Sequence, residues 1–587
     1  MPTEVFNWKI CGVGGYGLQV ASSMLGKTFL RGGLNVQTYD EFPSVIKGGP
    51  ATSQVAASVA PIRSPRQAVQ LLVCLNEQSI RDHVRELVPG GWLLYDPDAV
   101  PKPSVKRTDL TLFPAPLTRI TQEVKAEKIM RNVVSIGATL GLLGFSTDLV
   151  NQQLRQQYGQ KGEEVVQENL KAVEAGATYA TEHAPAKFPF RLKVGRRRQR
   201  RMLISGNDAL GLGALAAGVR FYAGYPMTPS TSLLFFMVKH GPDFGVVVRQ
   251  LPDEIAVINA AIGASFAGVR SMVATSGGGF SLMVESLGLA AMTETPLVVV
   301  NAQRPGPATG LPTWTEQGDL RFVMHAAPGD FPRVVVAPGD VTECFQAMSL
   351  AFNIADRYQT PVVVLTDKFL GESSFTTDAM RTTDWRVDRG PVVTRGVISG
   401  EHGMFPRYAD TPSGVSPRPF PGTPGLPYMA NSDEHDEFGL STEEASVRLV
   451  QHAKRMRKLT DLAWDLPEPE RYGPTKADLT LLSWGSTKGP ALDALELLAA
   501  EGIRINLIHF FVLHPFPAAT TIKRLAGVKR LVTVEGNASG QLAGLIRQHT
   551  GLAIEDQILR YDGRPFEAVE LAAAVRERLG IKRRAHA

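Results

Sequence analysis

Short, continuous apolar runs recur along this chain and restrict its fold more than any other feature. LLVCL (71–75), SMVAT (271–275), LVVVN (297–301), RVVVA (333–337), PVVVL (361–365) and RLVTV (530–534) are rich in β-branched residues and lie among Gly, Pro and Asp. Ala/Leu-rich stretches of helical length separate them. A strand that alternates polar with apolar has one dry face. A strand that is apolar at every position has two, and needs helices on both sides of its sheet. The alternation therefore predicts α/β architecture with parallel sheets, built as several doubly wound domains.

At 587 residues the chain exceeds what one core fills, and the usual domain size suggests three or four domains. Its 44% hydrophobic and 20% charged content is that of a soluble globular protein able to bury its cores without disulfides or metals. A net charge of +5 gives no long basic face, which argues against a nucleic-acid binder and leaves acidic protein partners and anionic substrates open. Cys11, Cys74 and Cys344 are far apart, with no Cys-x-x-Cys pair to hold zinc or an iron–sulfur cluster. They are expected as small core residues in a reducing cytoplasm. MPTEVFNWKICGV at the N-terminus lacks the regions of a signal peptide, and the apolar stretch 133–145 is too short to span a membrane. A soluble, cytoplasmic protein is expected.

Two stretches interrupt the α/β rhythm. RLKVGRRRQRR (191–201) reads as a linker or a solvated arm. From about 372 to 474 the chain is rich in Pro, Gly and charge, as in SGVSPRPFPGTPGLPYMANSDEHDEFG, and reads as a long connection. The expected domains are thus 1–190, 202–375 and 476–587, joined by a basic linker at 191–201 and an extended one at 376–475. Within the first, Gly12-Val13-Gly14-Gly15-Tyr16-Gly17 stands between an apparent strand and a helix from Leu18, and Asp40 closes a second strand. That is the dinucleotide fingerprint, in which glycine lets backbone N–H groups approach a pyrophosphate. Any tight strand-to-helix turn also selects glycine, so the match alone is weak.

Four segments between 204 and 320 carry the chemistry. ISGNDALGLGALAAGVRFYAGYPMTPSTSL (204–233) opens on a Gly-rich turn and ends in a rigid loop. DEIAVINAAIGASFAG (253–268) begins a small-residue helix with two carboxylates, and ATSGGGFSLMVESLG (274–288) is a strand, a triple glycine and a helix. NAQRPGPATGLPTWTEQGDL (301–320) is a strand end and a Pro/Gly loop with one arginine. In a doubly wound sheet functional groups gather at the carboxyl ends of strands and in the loops beyond, where Thr228, Glu254 and Arg304 all fall. By themselves they read as a turn hydroxyl, a first-turn acid and a surface cation, and Glu285 and Glu294 as solvated helix acids.

Together with EFPSVIKGGPATSQV (41–55) and RNVVSIGATLG (131–141), these segments resemble the 2-oxoacid:ferredoxin oxidoreductases. The resemblance runs along almost the whole chain, with YPMTPS and RPGPATGLPTWTEQGDL its most specific blocks. It implies a γ-type assembly domain at 1–190 fused to an α subunit. That subunit has a thiamine pyrimidine-binding domain at 202–375 and a transketolase C-terminal-like domain at 476–587, the latter carried by DLTLLSWGSTKGPALDALELLAAEGIRINLIHFFVLHPFP (478–517) and RLVTVEGNASGQLAGLIRQ (530–548). By this resemblance Glu254 matches the glutamate that bonds N1′ of thiamine diphosphate. Thr228 matches a threonine that touches the substrate, and Arg304 an arginine that holds the 2-oxoacid carboxylate. Tyr225, Pro226 and Gly278 are implied as further cofactor contacts. Trp314 and the triple glycine Gly277-Gly278-Gly279 depart from the commonest family forms.

These residue types suit the family's reaction. Thiamine chemistry requires the aminopyrimidine in its imino form, which a carboxyl group at N1′ promotes, and a guanidinium fork fits a carboxylate. The sequence contains no Gly-Asp-Gly with a later Asn-Asn for magnesium and diphosphate, and no cluster cysteines for the released electrons. The resemblance implies that a β subunit supplies both, with Mg2+ and a [4Fe–4S] cluster, in an (αβ)2 assembly. The implied reaction converts a 2-oxoacid, CoA and oxidised ferredoxin into acyl-CoA, carbon dioxide and reduced ferredoxin, reversibly. The γ–α fusion, SPRPFPGTPG and SDEHDEFG favour 2-oxoglutarate, giving succinyl-CoA, over pyruvate or branched-chain oxoacids. A nicotinamide-dependent oxidoreductase using the N-terminal turn is the contrasting reading. SDEHDEFG (432–439) is expected as a hydrogen-bonded turn rather than a metal site, and His325 near the substrate.

Overall fold

A computed structural model of the chain describes residues 5–15, 17–44, 48–192, 200–382, 385–396 and 403–581. Most of the expected basic linker, 193–199, lies outside them. The chain separates into two compact units, 1–204 with 373–379, and 205–372 with 380–587.

The first unit is built on a mixed sheet in which Phe6–Val13 pairs in parallel with Val69–Cys74 and antiparallel with Pro50–Ser58. Leu71, Leu72, Val73 and Cys74 are all solvent-free, as an uninterrupted apolar run requires. The glycines of RNVVSIGATLG serve helix packing. A Cβ on Gly137 would lie 2.0 Å from Val173 O, so helix Arg131–Leu143 meets helix Glu163–His183 backbone to backbone. The Gly-rich turn does feed a helix, Leu18–Arg31. However, Pro50–Ser58 is inserted between Phe6–Val13 and Asn35–Glu41, so the two strands that bracket a dinucleotide are not neighbours. The turn's backbone bonds instead to the following loop, Gly14 N to Gly49 O (2.9 Å) and Gly48 N to Gly14 O (3.3 Å). Strand Ser374–Asp378, at the edge of the segment expected to be linker, pairs with Asn35–Glu41.

The second unit holds two sheets. The larger runs, in spatial order, Val512–His514, Val334–Val336, Pro361–Asp367, Leu297–Gln303, Ser271–Thr275, Phe221–Gly224 and Val247–Gln250, and is parallel except for the first. The smaller runs Glu470–Tyr472, Ile505–Phe510, Leu479–Trp484, Leu531–Glu535 and Gln557–Leu559. Leu482, Trp484, Ile508 and Phe510 of the smaller sheet share one core with Val299 and Val335 of the larger and with Met283 of helix Gly277–Met292. The middle and C-terminal segments therefore form one body.

The described residues between 380 and 475 are fastened to that body by buried charge. Helix Ala445–Trp464 sends Lys454 and Lys458, both solvent-free, to the Glu294 carboxylate at 2.6 Å each. Glu294 is thus fully buried rather than solvated, because its cationic partners arrive from 160 residues downstream. Glu285 is exposed, as expected. Asp356 likewise accepts Arg270 Nε (2.8 Å) and Arg418 Nη2 (3.0 Å) and pairs with Arg389. SDEHDEFG is a hydrogen-bonded turn, with Asp436 Oδ1 accepting from Phe438 N and Leu440 N and His435 Nδ1 bonded to Asp433 O. The three cysteines are buried and unpaired by disulfides. No described helix is long and apolar enough to cross a membrane.

Candidate active site

Glu254 opens helix Glu254–Phe266, whose entry is fixed by Asp253: the Asp253 carboxylate accepts the Ala256 N–H at 2.7 Å. The small residues of this helix and of Gly277–Met292 let the two pack closely, so Glu254 is only 4% exposed. Its Oε1 is buried and has no hydrogen-bond partner. A Cβ on Gly279 would lie 2.8 Å from that oxygen, 2.9 Å from Glu254 Cγ and 2.1 Å from Thr275 Oγ1, so only glycine leaves room for this carboxylate. Ser276 Oγ, Asn301 Oδ1 and Arg304 Nε are also buried and unpartnered. Thr275 and Asn301 are paired across adjacent parallel strands, which puts these groups at neighbouring carboxyl ends. Such orphaned polar atoms, gathered at one edge of a sheet, mark a place built for a ligand.

Thr228 lies in the loop after Phe221–Gly224, held by Ser230 N to Met227 O (2.8 Å) and Asn207 Nδ2 to Pro229 O (2.8 Å). Arg304 Nη1 donates to Thr228 O at 2.7 Å, so these two expected residues do come together. Thr228 O is the hydrogen-bond partner of Nη1, and Nε has none, which leaves much of the Arg304 guanidinium fork free. Burial pulls its pKa down, and the Asp319 charge acts against that. Burial raises the Asp319 carboxyl, while the Asn301 bond (Nδ2 to Oδ2, 3.2 Å) and Arg304 oppose the rise. Glu316 is pushed up to about 7 by burial and then by Asp319.

The first turn of helix Gly277–Met292 links the two halves. Gly279 meets Glu254, a Cβ on Gly278 would stand 4.0 Å from Ala308 O of the arginine loop, and a Cβ on Gly277 would strike Asp319 Oδ2 at 2.5 Å. Tyr225 and Pro226 are exposed at the start of the loop that carries Thr228. No direct bond joins Glu254 to Thr228 or Arg304. The unpartnered carboxyl oxygen and the side-chain-free turn fit a flat heterocycle with a ring nitrogen, such as the thiamine pyrimidine. No described cluster of three His, Cys, Asp or Glu is arranged for a metal.

His325 does not join this group. It ends helix Leu320–His325 on the surface, and its charge is felt at His514, in the company of Arg333 and His549. Thr275, Ser276, Asn301, Glu316 and Asp319 were not singled out by sequence. Their position at the ends of SMVAT and LVVVN, or within TWTEQGDL, was the available signal.

Residues 7–179 match the family model described as pyruvate ferredoxin/flavodoxin oxidoreductase, residues 212–455 the thiamine diphosphate-binding model of the same enzymes, and residues 472–578 the transketolase C-terminal domain. The chain is 31% identical to "2-oxoacid:ferredoxin oxidoreductase 2, subunit alpha" of Aeropyrum pernix, over 97% of this chain and 96% of that protein. It is 28% identical to "2-oxoglutarate oxidoreductase subunit KorA" of Mycobacterium tuberculosis, over 97% and 91%. Its structure resembles that of 2-oxoglutarate:ferredoxin oxidoreductase from Magnetococcus marinus, solved with 2-oxoglutarate, coenzyme A and succinyl-CoA bound. That match has a TM-score of 0.89 and 32% identity, and covers 98% of this chain and 99% of the other.

Proposed function

Because the chain belongs to the 2-oxoacid:ferredoxin oxidoreductases, as an α subunit with a γ-type N-terminal domain, we propose that it activates thiamine diphosphate for the oxidative decarboxylation of 2-oxoglutarate to succinyl-CoA. The observation that carries this reading is the buried, unpartnered Oε1 of Glu254 against Gly279. Thiamine diphosphate, when bound, supplies the carbon nucleophile and the electron sink for loss of carbon dioxide. Glu254 holds the aminopyrimidine by its carboxyl group, shares a proton with the ring nitrogen, and is kept from water by the Gly279 turn. Tyr225, Pro226 and Gly278 bound the space for the ring. Arg304, tethered to Thr228 O, aims its remaining N–H groups at the oxoacid carboxylate in a charge-assisted bond. The Thr228 hydroxyl orients the same substrate.

The other half of the cofactor site falls to a β subunit that brings the diphosphate contacts, Mg2+ and a [4Fe–4S] cluster. Ile255 and Leu282, each 52% exposed, and Leu311, 45% exposed, are large apolar side chains beside Glu254 and the arginine loop, and a partner surface there removes them from water. The assembly is an (αβ)2 complex of the cytoplasm that passes electrons to ferredoxin. The names of the Mycobacterium and Magnetococcus relatives support 2-oxoglutarate as substrate. The test is purification with the partner chain and a panel of 2-oxoacids with CoA and a viologen dye. 2-Oxoglutarate should give the highest kcat/KM. Preference for pyruvate or a branched-chain oxoacid overturns the substrate, and no CoA-dependent dye reduction with any oxoacid overturns the function.

A further inference from the structure

Downstream of Arg304 its loop runs into the smaller, C-terminal sheet. Gln317, only 2% exposed, lies at the carboxyl ends of two neighbouring parallel strands, Leu479–Trp484 and Leu531–Glu535. Its main-chain N–H donates to Gly536 O (2.6 Å), its Oε1 accepts from Gly536 N (2.8 Å), and its Nε2 donates to Trp484 O (2.8 Å). Gln541, which starts helix Gln541–Thr550, reaches back the other way. Its Nε2 donates to Gly318 O (2.8 Å) and its Oε1 accepts from Arg321 N (2.9 Å). Each glutamine therefore spends both ends of its amide on the backbone of the other's domain.

The place Gln317 occupies is telling. In open α/β sheets a ligand binds beyond the carboxyl ends of two adjacent strands at the point where strand order reverses. Leu479–Trp484 has Ile505–Phe510 on one side and Leu531–Glu535 on the other, so the gap between the first and last of these is that point. A side chain from the middle domain fills it. The restraint reaches Arg304 through two steps of bonding. Asp319, two residues on, donates its N–H to Gln303 Oε1 (2.9 Å), and Gln303, 1% exposed and anchored by Nε2 to Thr366 O (3.1 Å), directly precedes Arg304.

We propose that Gln317 and Gln541 are positioning residues, through which the C-terminal domain uses its own ligand crevice as a clamp on the loop that holds the oxoacid. The inference rests on the assignment of Arg304 to the oxoacid carboxylate. A neutral side chain of similar length cannot replace either amide without leaving a buried carbonyl or N–H unpaired.

The test compares the holoenzyme, purified with its partner subunit, as wild type, Gln317→Met, Gln541→Met and Arg304→Ala. The KM for 2-oxoglutarate should rise about tenfold or more in all three, with kcat of the glutamine variants within about threefold of wild type. The thiamine diphosphate Kd, read by quenching of intrinsic fluorescence, should be unchanged in both glutamine variants. Gln317→Asn and Gln541→Asn, one methylene shorter, probe the same contacts should a Met variant fail to fold, and should show the same KM-against-kcat split. Glutamines that merely hold the fold would lower the thermal midpoint without moving KM. That outcome, with KM raised by Arg304→Ala, overturns the clamp alone, whereas an unchanged KM in all the variants overturns the clamp and the oxoacid assignment together.

Discussion

Replacing Gly279 by alanine tests the geometry around Glu254 with a single methyl group. The new Cβ would stand 2.1 Å from Thr275 Oγ1, 2.8 Å from Glu254 Oε1 and 2.9 Å from Glu254 Cγ. Thr275 is solvent-free at the end of a central strand, so it has no space to retreat. The Glu254 side chain is the one neighbour able to turn away. Overpacking of this kind costs about 1–3 kcal/mol if the surroundings absorb it. If Glu254 swings out instead, the enzyme loses a positioned acid–base group, worth about 100-fold in rate or about 2.7 kcal/mol of barrier. We expect Gly279→Ala holoenzyme to lose about 100-fold in kcat in the CoA- and 2-oxoglutarate-dependent reduction of a viologen dye. Gly288→Ala, in the same helix, is the control, since its Cβ would meet only Ala327 Cβ at 3.9 Å. A Gly279→Ala enzyme with kcat within about threefold of wild type would refute the reasoning.

Two further outcomes follow from buried charge. Burial alone would raise the Glu294 carboxyl, but Lys454, Lys458 and Arg407 hold it well below the usual range. Glu294→Gln leaves two ammonium groups without their anion and should destabilise the fold by about 3–5 kcal/mol in denaturant unfolding, whereas an unchanged midpoint would contradict the pairing. Burial, and then Arg333, His549 and His325, lower His514 to about 4. The unfolded chain takes up a proton near 6.5 and the folded chain only near 4, so this group's stabilising contribution is lost as pH falls through that window. His514→Gln should flatten the loss of stability between pH 6.5 and 4 in thermal melts, and an unaltered slope would assign the loss elsewhere.

The α/β class was legible because the runs at 71–75, 271–275, 297–301 and 361–365 each hold at least three consecutive apolar residues and the strands they form are buried on both faces. Thr228, Glu254 and Arg304 stood out through blocks of sequence that surround them. What surrounds Glu254 in space was harder to read, because Gly279 and Thr275 come from another strand and helix, and the triple glycine, though visible, does not announce which side chain packs on it. The segment 376–475 conceals its packing because helix Ala445–Trp464 buries Lys454, Arg455 and Lys458 while Leu449 and Trp464 face outward. Its attachment depends on Lys454 and Lys458 meeting Glu294, a contact with no local signature. The two glutamines of the clamp are 224 positions apart and pair only with backbone, so nothing in either neighbourhood announces the other.

The most direct measurement is turnover of the Glu254→Gln holoenzyme with thiamine diphosphate shown to be bound at wild-type stoichiometry. Glutamine keeps the shape of the side chain and removes only its capacity to share a proton with the cofactor ring. Decarboxylation of 2-oxoglutarate should fall by at least about 100-fold. Turnover equal to wild type would mean that the carboxyl group buried against Gly279 is not what readies the cofactor.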